Sequence, residues 1–259
     1  MHPQRTHSLP HNVHYTCAGR TDIGIIRSGN EDSFLVLPEQ GVFIVADGMG
    51  GHAAGEVASE MAVQIVARGL NGVIGRDDQV ATQMMRSAII RANADIYQRT
   101  MNEPEKRGMG TTATAMIVNG NRYLIGQVGD SRAYLYRSGQ LEQVTKDHSY
   151  VQEQVDAGNL TPEQARTHPY SNVITRCVGA NSEVLPDIYM GTLQAQDVYL
   201  LASDGLTGML EDHELLAILN TTDAPAAMVD NLVSEANRRG GLDNITVIIV
   251  RIDKLEEIV

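Results

Sequence analysis

The stretch Val42-Phe43-Ile44-Val45-Ala46-Asp47-Gly48-Met49-Gly50-Gly51-His52-Ala53-Ala54-Gly55 changes character at Asp47. Before it, an apolar run rich in β-branched and aromatic side chains predicts a buried strand. After it, Gly48, Gly50 and Gly51 allow a tight turn and bring backbone carbonyls and amides close to whatever Asp47 holds. Asp47 is therefore expected where the strand ends, on a rim. One reading makes it only the cap of the next helix. Another takes Gly48-x-Gly50-x-x-Ala53 as a dinucleotide-binding loop. A carboxylate at the loop's mouth would repel a pyrophosphate and attract a cation, so the glycines suit a metal better.

Outward from this stretch, strands are expected at 14–18, 33–37 and 41–46, around a loop from Arg20 to Asp32. Successive strands without an intervening helix argue against a βαβ dinucleotide fold. Apolar residues at helical spacing predict helices over about 57–70 and 79–101. An antiparallel meander follows over 111–118, 123–128, 131–136 and 140–144, its turns marked by Asn119-Gly120-Asn121, Gly129-Asp130 and Ser138-Gly139. From Asp147 to about Gly179 the pattern breaks into short helical pieces, one opened by Thr161 as cap and Pro162 at the first helical position. Strands at 187–190 and 198–202, helices at 212–219 and 225–239, and a strand at 245–252 complete the chain. This order predicts an α+β fold with two antiparallel sheets face to face and helices outside.

The 259 residues suffice for one core and show no internal linker. Residues 1–13 read as a flexible leader and 14–259 as a single domain. No apolar run reaches membrane-spanning length and no signal-peptide core opens the chain, so a cytoplasmic protein is expected. Cys17 and Cys177 are too few for a disulfide framework and read as free thiols. Acidic residues outnumber basic ones 32 to 20, a formal charge of -12, with no basic cluster, which speaks against nucleic-acid binding.

Asp47, Asp130, Asp204 and Asp243 each border an apolar strand and a small turn residue. Singly, each is most simply a turn former. Strand ends at one edge of a sandwich converge, however, and oxygen ligands without paired His or Cys select Mg²⁺ or Mn²⁺ rather than Zn²⁺. Two such ions would activate a shared water and stabilise displacement at phosphorus. A phosphate substrate also needs a forked cation, for which Arg27, near Glu31 and Asp32, is the candidate.

Six motifs in order, Arg27-Ser28-Gly29-Asn30-Glu31-Asp32, Val45-Ala46-Asp47-Gly48-Met49-Gly50-Gly51-His52, Gly110-Thr111-Thr112-Ala113, Val128-Gly129-Asp130-Ser131-Arg132, Ser203-Asp204-Gly205-Leu206 and Asp243-Asn244-Ile245-Thr246-Val247, resemble those of the metal-dependent type 2C protein serine/threonine phosphatases in their compact bacterial form. The resemblance runs from about Cys17 to Ile252. It implies a four-layer α-β-β-α sandwich with a metal centre at one edge. Asp47, Asp204 and Asp243 would ligate one ion, Asp47 and the Gly48 carbonyl a second, and Asp130 with Asp204 a third. Asp32 and Glu31 would hold metal-bound waters, and Arg27 would clamp the phosphoryl oxygens. The water or hydroxide between the ions would attack the phosphorus of phosphoserine or phosphothreonine directly. Residues 149–175 would form the family's flap, which influences substrate choice.

Met49 stands where animal members carry the His proposed to protonate the leaving group. His52 is the candidate replacement, and the alternative is a helix-start His that only bonds its neighbours. His148 is expected as a structural partner of the flap base, and Asn244 as a residue that orients Asp243 or the local turn. The implied activity is a protein phosphatase in signal transduction, a monomer acting on phosphorylated proteins and reversing a cognate Ser/Thr kinase. Its alternatives are a dedicated phosphatase of one regulatory protein and a non-catalytic phosphoprotein-binding module of the same fold.

Overall fold

The computed structural model describes residues 6–9, 13–50 and 54–255. In chain order the strands and helices are β1 (His7–Leu9), β2 (Val13–Asp22), β3 (Asp32–Leu37), β4 (Val42–Met49), α1 (Ala54–Gly69), α2 (Asp78–Asn102), β5 (Gly110–Thr111), β6 (Ala113–Asn119), β7 (Arg122–Val128), β8 (Arg132–Arg137) and β9 (Gln140–Gln143). There follow α3 (Tyr150–Asp156), α4 (Pro162–Arg166), β10 (Asp187–Thr192), β11 (Val198–Ala202), α5 (Asp204–Thr207), α6 (Asp212–Leu219), α7 (Pro225–Arg238) and β12 (Ile245–Leu255).

One sheet runs β1-β2-β12-β11-β8-β9 and the other β10-β7-β6-β4-β3, with β5 on β4. Side-chain alternation along each strand divides the apolar residues between three cores. On β4, Phe43 and Val45 face the opposite sheet, where they meet residues such as Ile248 and Val250 of β12. Val42, Ile44 and Ala46 face α1 and α2. On β12, Val247 and Ile249 turn outward onto α6 and α7, packing with Leu215 and Leu232. Three cores between four layers make the α-β-β-α sandwich. Among the described residues no helix is long and apolar enough to cross a membrane. Cys17 and Cys177 are free.

Three differences from the sequence expectations have physical causes. Residues 7–9, read from the sequence as part of a flexible leader, form an edge strand with His7 opposite Tyr15; three residues are too few to show a period. The rest of 1–13, apart from Thr6 and Val13, lies outside the described residues. β2 continues to Asp22 because β12 pairs with it as far as Ile245. β4 continues through Asp47 to Met49, since β3 supplies a partner at Asp32 and β5 supplies partners to Gly48 and Met49. Gly48 is a strand residue, and its missing Cβ admits the Gly55 and Glu31 carbonyl oxygens, which a Cβ would meet at 2.2 and 2.5 Å.

Candidate metal centre

Both sheets deliver carboxylates to one edge. Asp32 stands directly opposite Asp47 on β3 and β4. Asp204 opens α5 straight after β11, Asp243 precedes β12, and these two strands are paired. Asp130 lies in the turn by which the chain leaves β7 for β8 in the other sheet.

The carboxyls perturb one another. Asp47 is held well above the ordinary carboxylate range, first by removal from water, then by the charges of Asp32, Asp204 and Asp130. Asp130 is pushed up to about 8 by removal from water, then by Asp204 and Asp147. Asp32 is pushed up to about 7, burial outweighing the two hydroxyls that donate to it. Asp204 is also raised, by burial and then by Asp243. Its Oδ1 is buried and has no hydrogen-bond partner among the described residues. An uncompensated buried oxygen is costly, and so are like charges held together.

A divalent cation resolves both costs. Among the described residues no three His, Cys, Asp or Glu side chains are gathered closely enough to hold an ion unaided. Mg²⁺ does not require that, because it keeps several waters and takes one or two carboxylates directly. The orphaned Asp204 oxygen, the all-oxygen donor set and the mutually raised carboxyls fit hard divalent ions.

Hydroxyls and amides position the acids. Thr246 Oγ1 and Ser203 Oγ donate to Asp32 Oδ2 at 2.6 and 2.8 Å, so the sheet of β11 and β12 holds an acid of the sheet of β3 and β4. The Asp47 N–H donates to Thr112 Oγ1 at 2.9 Å, while the Thr112 N–H and Thr111 Oγ1 both donate to the Asp47 carbonyl, each also at 2.9 Å. Asn244 Nδ2 donates to the carbonyls of Ile23 and Gly29, and Oδ1 accepts from the Glu31 N–H, so this side chain ties the 23–31 loop to the start of β12.

Arg27 reaches the same edge, its Nη2 donating to Asp243 Oδ2 at 2.7 Å from a half-exposed position. Glu31 turns toward the start of α1, its Oε2 only 2.5 Å from where a Cβ on Gly55 would lie. His52 lies outside the described residues. The structure thus brings Asp32, Asp47, Asp130, Asp204 and Asp243 to one edge, with Arg27 on Asp243 and Glu31 at the periphery.

Beside the acids opens a groove of about 830 Å³ whose walls include Asp130, Arg132, Asp204, Leu242 and Asp243, with α3 and α4 opposite. Segment 149–175 is pinned at its base by the Ser149–Ile174 bridge and by the Thr175 N–H donating to the His148 carbonyl. His148 in turn grips the residue before Asp130. Its Nδ1 accepts the Gly129 N–H at 3.0 Å, and its own N–H donates to the Gly129 carbonyl at 2.9 Å. An imidazole that accepts at Nδ1 carries its proton on Nε2, which stands 3.1 Å from Asp187 Oδ2 and 3.0 Å from Arg176 Nη1. Burial lowers the His148 pKa, with Asp187 opposing and Arg176 adding to the effect. In the groove wall, Arg132 grips Asp147 through Nε and Nη2 and reaches Tyr134 through Nη1.

The chain matches the family model for protein phosphatase 2C over residues 27–239. It belongs to the protein phosphatase 2C family. Among curated relatives, it is 39% identical over 239 residues to a serine/threonine phosphatase of Listeria monocytogenes, covering 90% of this chain and 94% of that one. It is 40% identical over 232 residues to the serine/threonine protein phosphatase PstP of Mycobacterium tuberculosis, covering 90% of this chain but 44% of PstP. The chain thus spans less than half the length of that relative. A crystal structure of the PstP catalytic domain with two manganese ions superposes with a TM-score of 0.84 at 38% identity, over 93% of this chain and 99% of that domain. A 2C phosphatase sandwich with its acids at one edge is therefore the architecture of this chain.

Thr112, Ser203 and Thr246 stand inside the sequence motifs with no role of their own readable there. Thr246 had a signal: it is the one hydroxyl in the apolar run Ile245-Thr246-Val247-Ile248-Ile249-Val250. Such a residue on a buried strand must find a partner.

Proposed function

We propose that this chain is a metal-dependent protein phosphatase that hydrolyses phosphoserine and phosphothreonine monoesters in proteins. The observation that carries the proposal is the group of five aspartates at one sandwich edge, with Asp204 Oδ1 buried and without a partner among the described residues, and Arg27 on Asp243. With waters completing each shell and bridging where a carboxylate falls short, Asp47, Asp204 and Asp243 would hold one Mg²⁺ or Mn²⁺, Asp47 and the Gly48 carbonyl a second, and Asp130 with Asp204 a third. Asp32, and Glu31 from the periphery, would hold the waters around them. When bound, such ions polarise phosphoryl oxygens and lower the pKa of coordinated water.

The chain's own residues supply position and charge. Arg27, swung from Asp243, presents two N–H donors to the phosphoryl oxygens and fixes the ester in the groove. Thr111 and Thr112 fix the Asp47 backbone, and Ser203 and Thr246 keep Asp32 oriented by donating to its carboxylate. The proton for the departing serine or threonine oxygen is assigned to His52 or to water. Work against a partner Ser/Thr kinase, in the cytoplasm and as a monomer, completes the reading.

The test is Asp204→Asn. With the fold intact by circular dichroism, phosphopeptide turnover should fall at least about 100-fold, the scale of losing one charge-stabilising group. Full activity in that variant would remove Asp204 from the centre.

A further inference from the structure

Two loops beside Arg27 expose an unusual density of large apolar side chains. Ile25, Ile26 and Leu242 are 64%, 65% and 56% exposed, and Ile23 is 41% exposed. These are four of the eleven large hydrophobics exposed among the described residues. A lone exposed leucine is ordinary, whereas neighbouring ones mark an interaction surface.

The loops are built against each other. The N–H groups of Ile25 and Ile26 both donate to the Gly241 carbonyl, at 2.8 and 3.3 Å. Gly241 has φ +47, and a Cβ there would lie 2.9 Å from Ile25 Cγ1, so a side chain at this position would push Ile25 off its seat. Asn244 fixes the Ile23 carbonyl from below. The apolar side chains therefore ride on a braced backbone and form a fixed ridge.

Position decides what the ridge would hold. Leu242 lines the groove and adjoins Asp243, to which Arg27 is bonded two residues beyond Ile25. A phosphoester seated by Arg27 would thus have this ridge within reach of its flanking residues, at about 3.3 Å per extended residue. The ends of the described chain lie elsewhere: β2 and β12 pair from Asp22 and Ile245 near the ridge to Val13 and Leu255 at the far end.

We infer that Ile25, Ile26 and Leu242 form an apolar docking ridge for the substrate polypeptide, so that the site favours phosphoserine or phosphothreonine flanked within a few residues by a large aliphatic or aromatic side chain. The inference rests on the phosphatase reading above. Covering the ridge returns free energy that folding alone leaves unused, and it appears as tighter substrate binding.

The test uses the Mn²⁺-loaded full chain and two phosphothreonine peptides of equal length and charge, one with leucine on both sides of the phosphoresidue and one with serine. The leucine peptide should show a kcat/KM about tenfold higher, carried by KM, as expected for one or two apolar side chains gaining a seat. In an Ile26→Ser, Leu242→Ser double variant, which alters only exposed positions, the ratio should fall to about one. Equal turnover of both peptides by the unaltered chain, or a preference that survives in the double variant, overturns the ridge. Turnover of neither peptide by the unaltered chain overturns the phosphatase reading itself, and the ridge with it.

Discussion

Asp32 and Asp47 occupy directly opposed positions on the β3–β4 ladder, where like charges ordinarily destabilise a sheet. Their separate supports, hydroxyls from the opposite sheet for Asp32 and backbone clamps from Thr111 and Thr112 for Asp47, hold them in place despite that repulsion. The sandwich therefore carries a built-in demand for either protons or cations at this edge.

That demand sets the pH dependence of the metal-free protein. Asp32 and Asp130, at about 7 and about 8, bind protons more tightly when folded than at their ordinary value of 3.8. Their contribution is full below the unfolded value and is lost as pH rises through the folded values. In chelator, the thermal unfolding midpoint should fall as pH rises from about 6 to about 8.5. Saturating Mg²⁺ or Mn²⁺ should remove most of the fall, because a ligand of the folded state stabilises it. A chelated protein whose midpoint rises over this interval would contradict the assignment.

His148 should produce the opposite limb. Its pKa lies below the usual 6.5 because the ring is buried, with Asp187, Arg176 and Asp147 the charged groups that act on it. Its stabilising contribution is full above the unfolded value and is lost as pH falls through the folded one. His148→Ala should cost about 1–3 kcal/mol at neutral pH, the price of leaving the buried Gly129 N–H unpaired. Urea unfolding of both proteins at about pH 7.5 and about pH 5.5 checks this: the difference should shrink in acid.

The hydroxyls that hold Asp32 act through it. Thr246→Val keeps the shape of the side chain and removes one donor to Oδ2. Mn²⁺ affinity, read by calorimetric titration, should fall about 10–100-fold, the usual cost of losing an outer-shell partner. Unchanged affinity would separate Asp32 from the metal centre.

Arg27→Ala should lower phosphopeptide kcat/KM by about 100-fold or more, since one charged clamp on developing charge is lost. Arg27→Lys should restore only part, because an ammonium cannot make the forked contact. Steady-state kinetics of the three proteins decides it. Full recovery in the lysine variant would reduce Arg27 to a point charge that neutralises Asp243.

Much of this was legible in the residues. Phe43 and Val45 alternate with Ile44 and Ala46, so the two faces of β4 could be read as two cores. Thr161-Pro162 announced α4, where Thr161 is the expected cap and Gln164 completes a capping box with it. The acids were visible because each breaks an apolar run at a glycine or small residue. What stayed hidden depends on contacts across the sandwich. Nothing local says that Thr246 meets Asp32, more than 200 residues earlier, or that β5 would carry β4 beyond Asp47. The apolar ridge was equally hidden: Ile25 and Leu242 become neighbours only when Gly241 is folded against the 23–31 loop.

The most direct measurement is hydrolysis of a phosphothreonine peptide by the purified chain with Mn²⁺, with Mg²⁺ and with excess chelator. The expected result is turnover with at least one of the two metals, abolished by chelator and restored by adding the ion back. Turnover that persists in chelator, or none with either ion from a protein shown to be folded, would contradict a metal-dependent phosphatase centre at this edge.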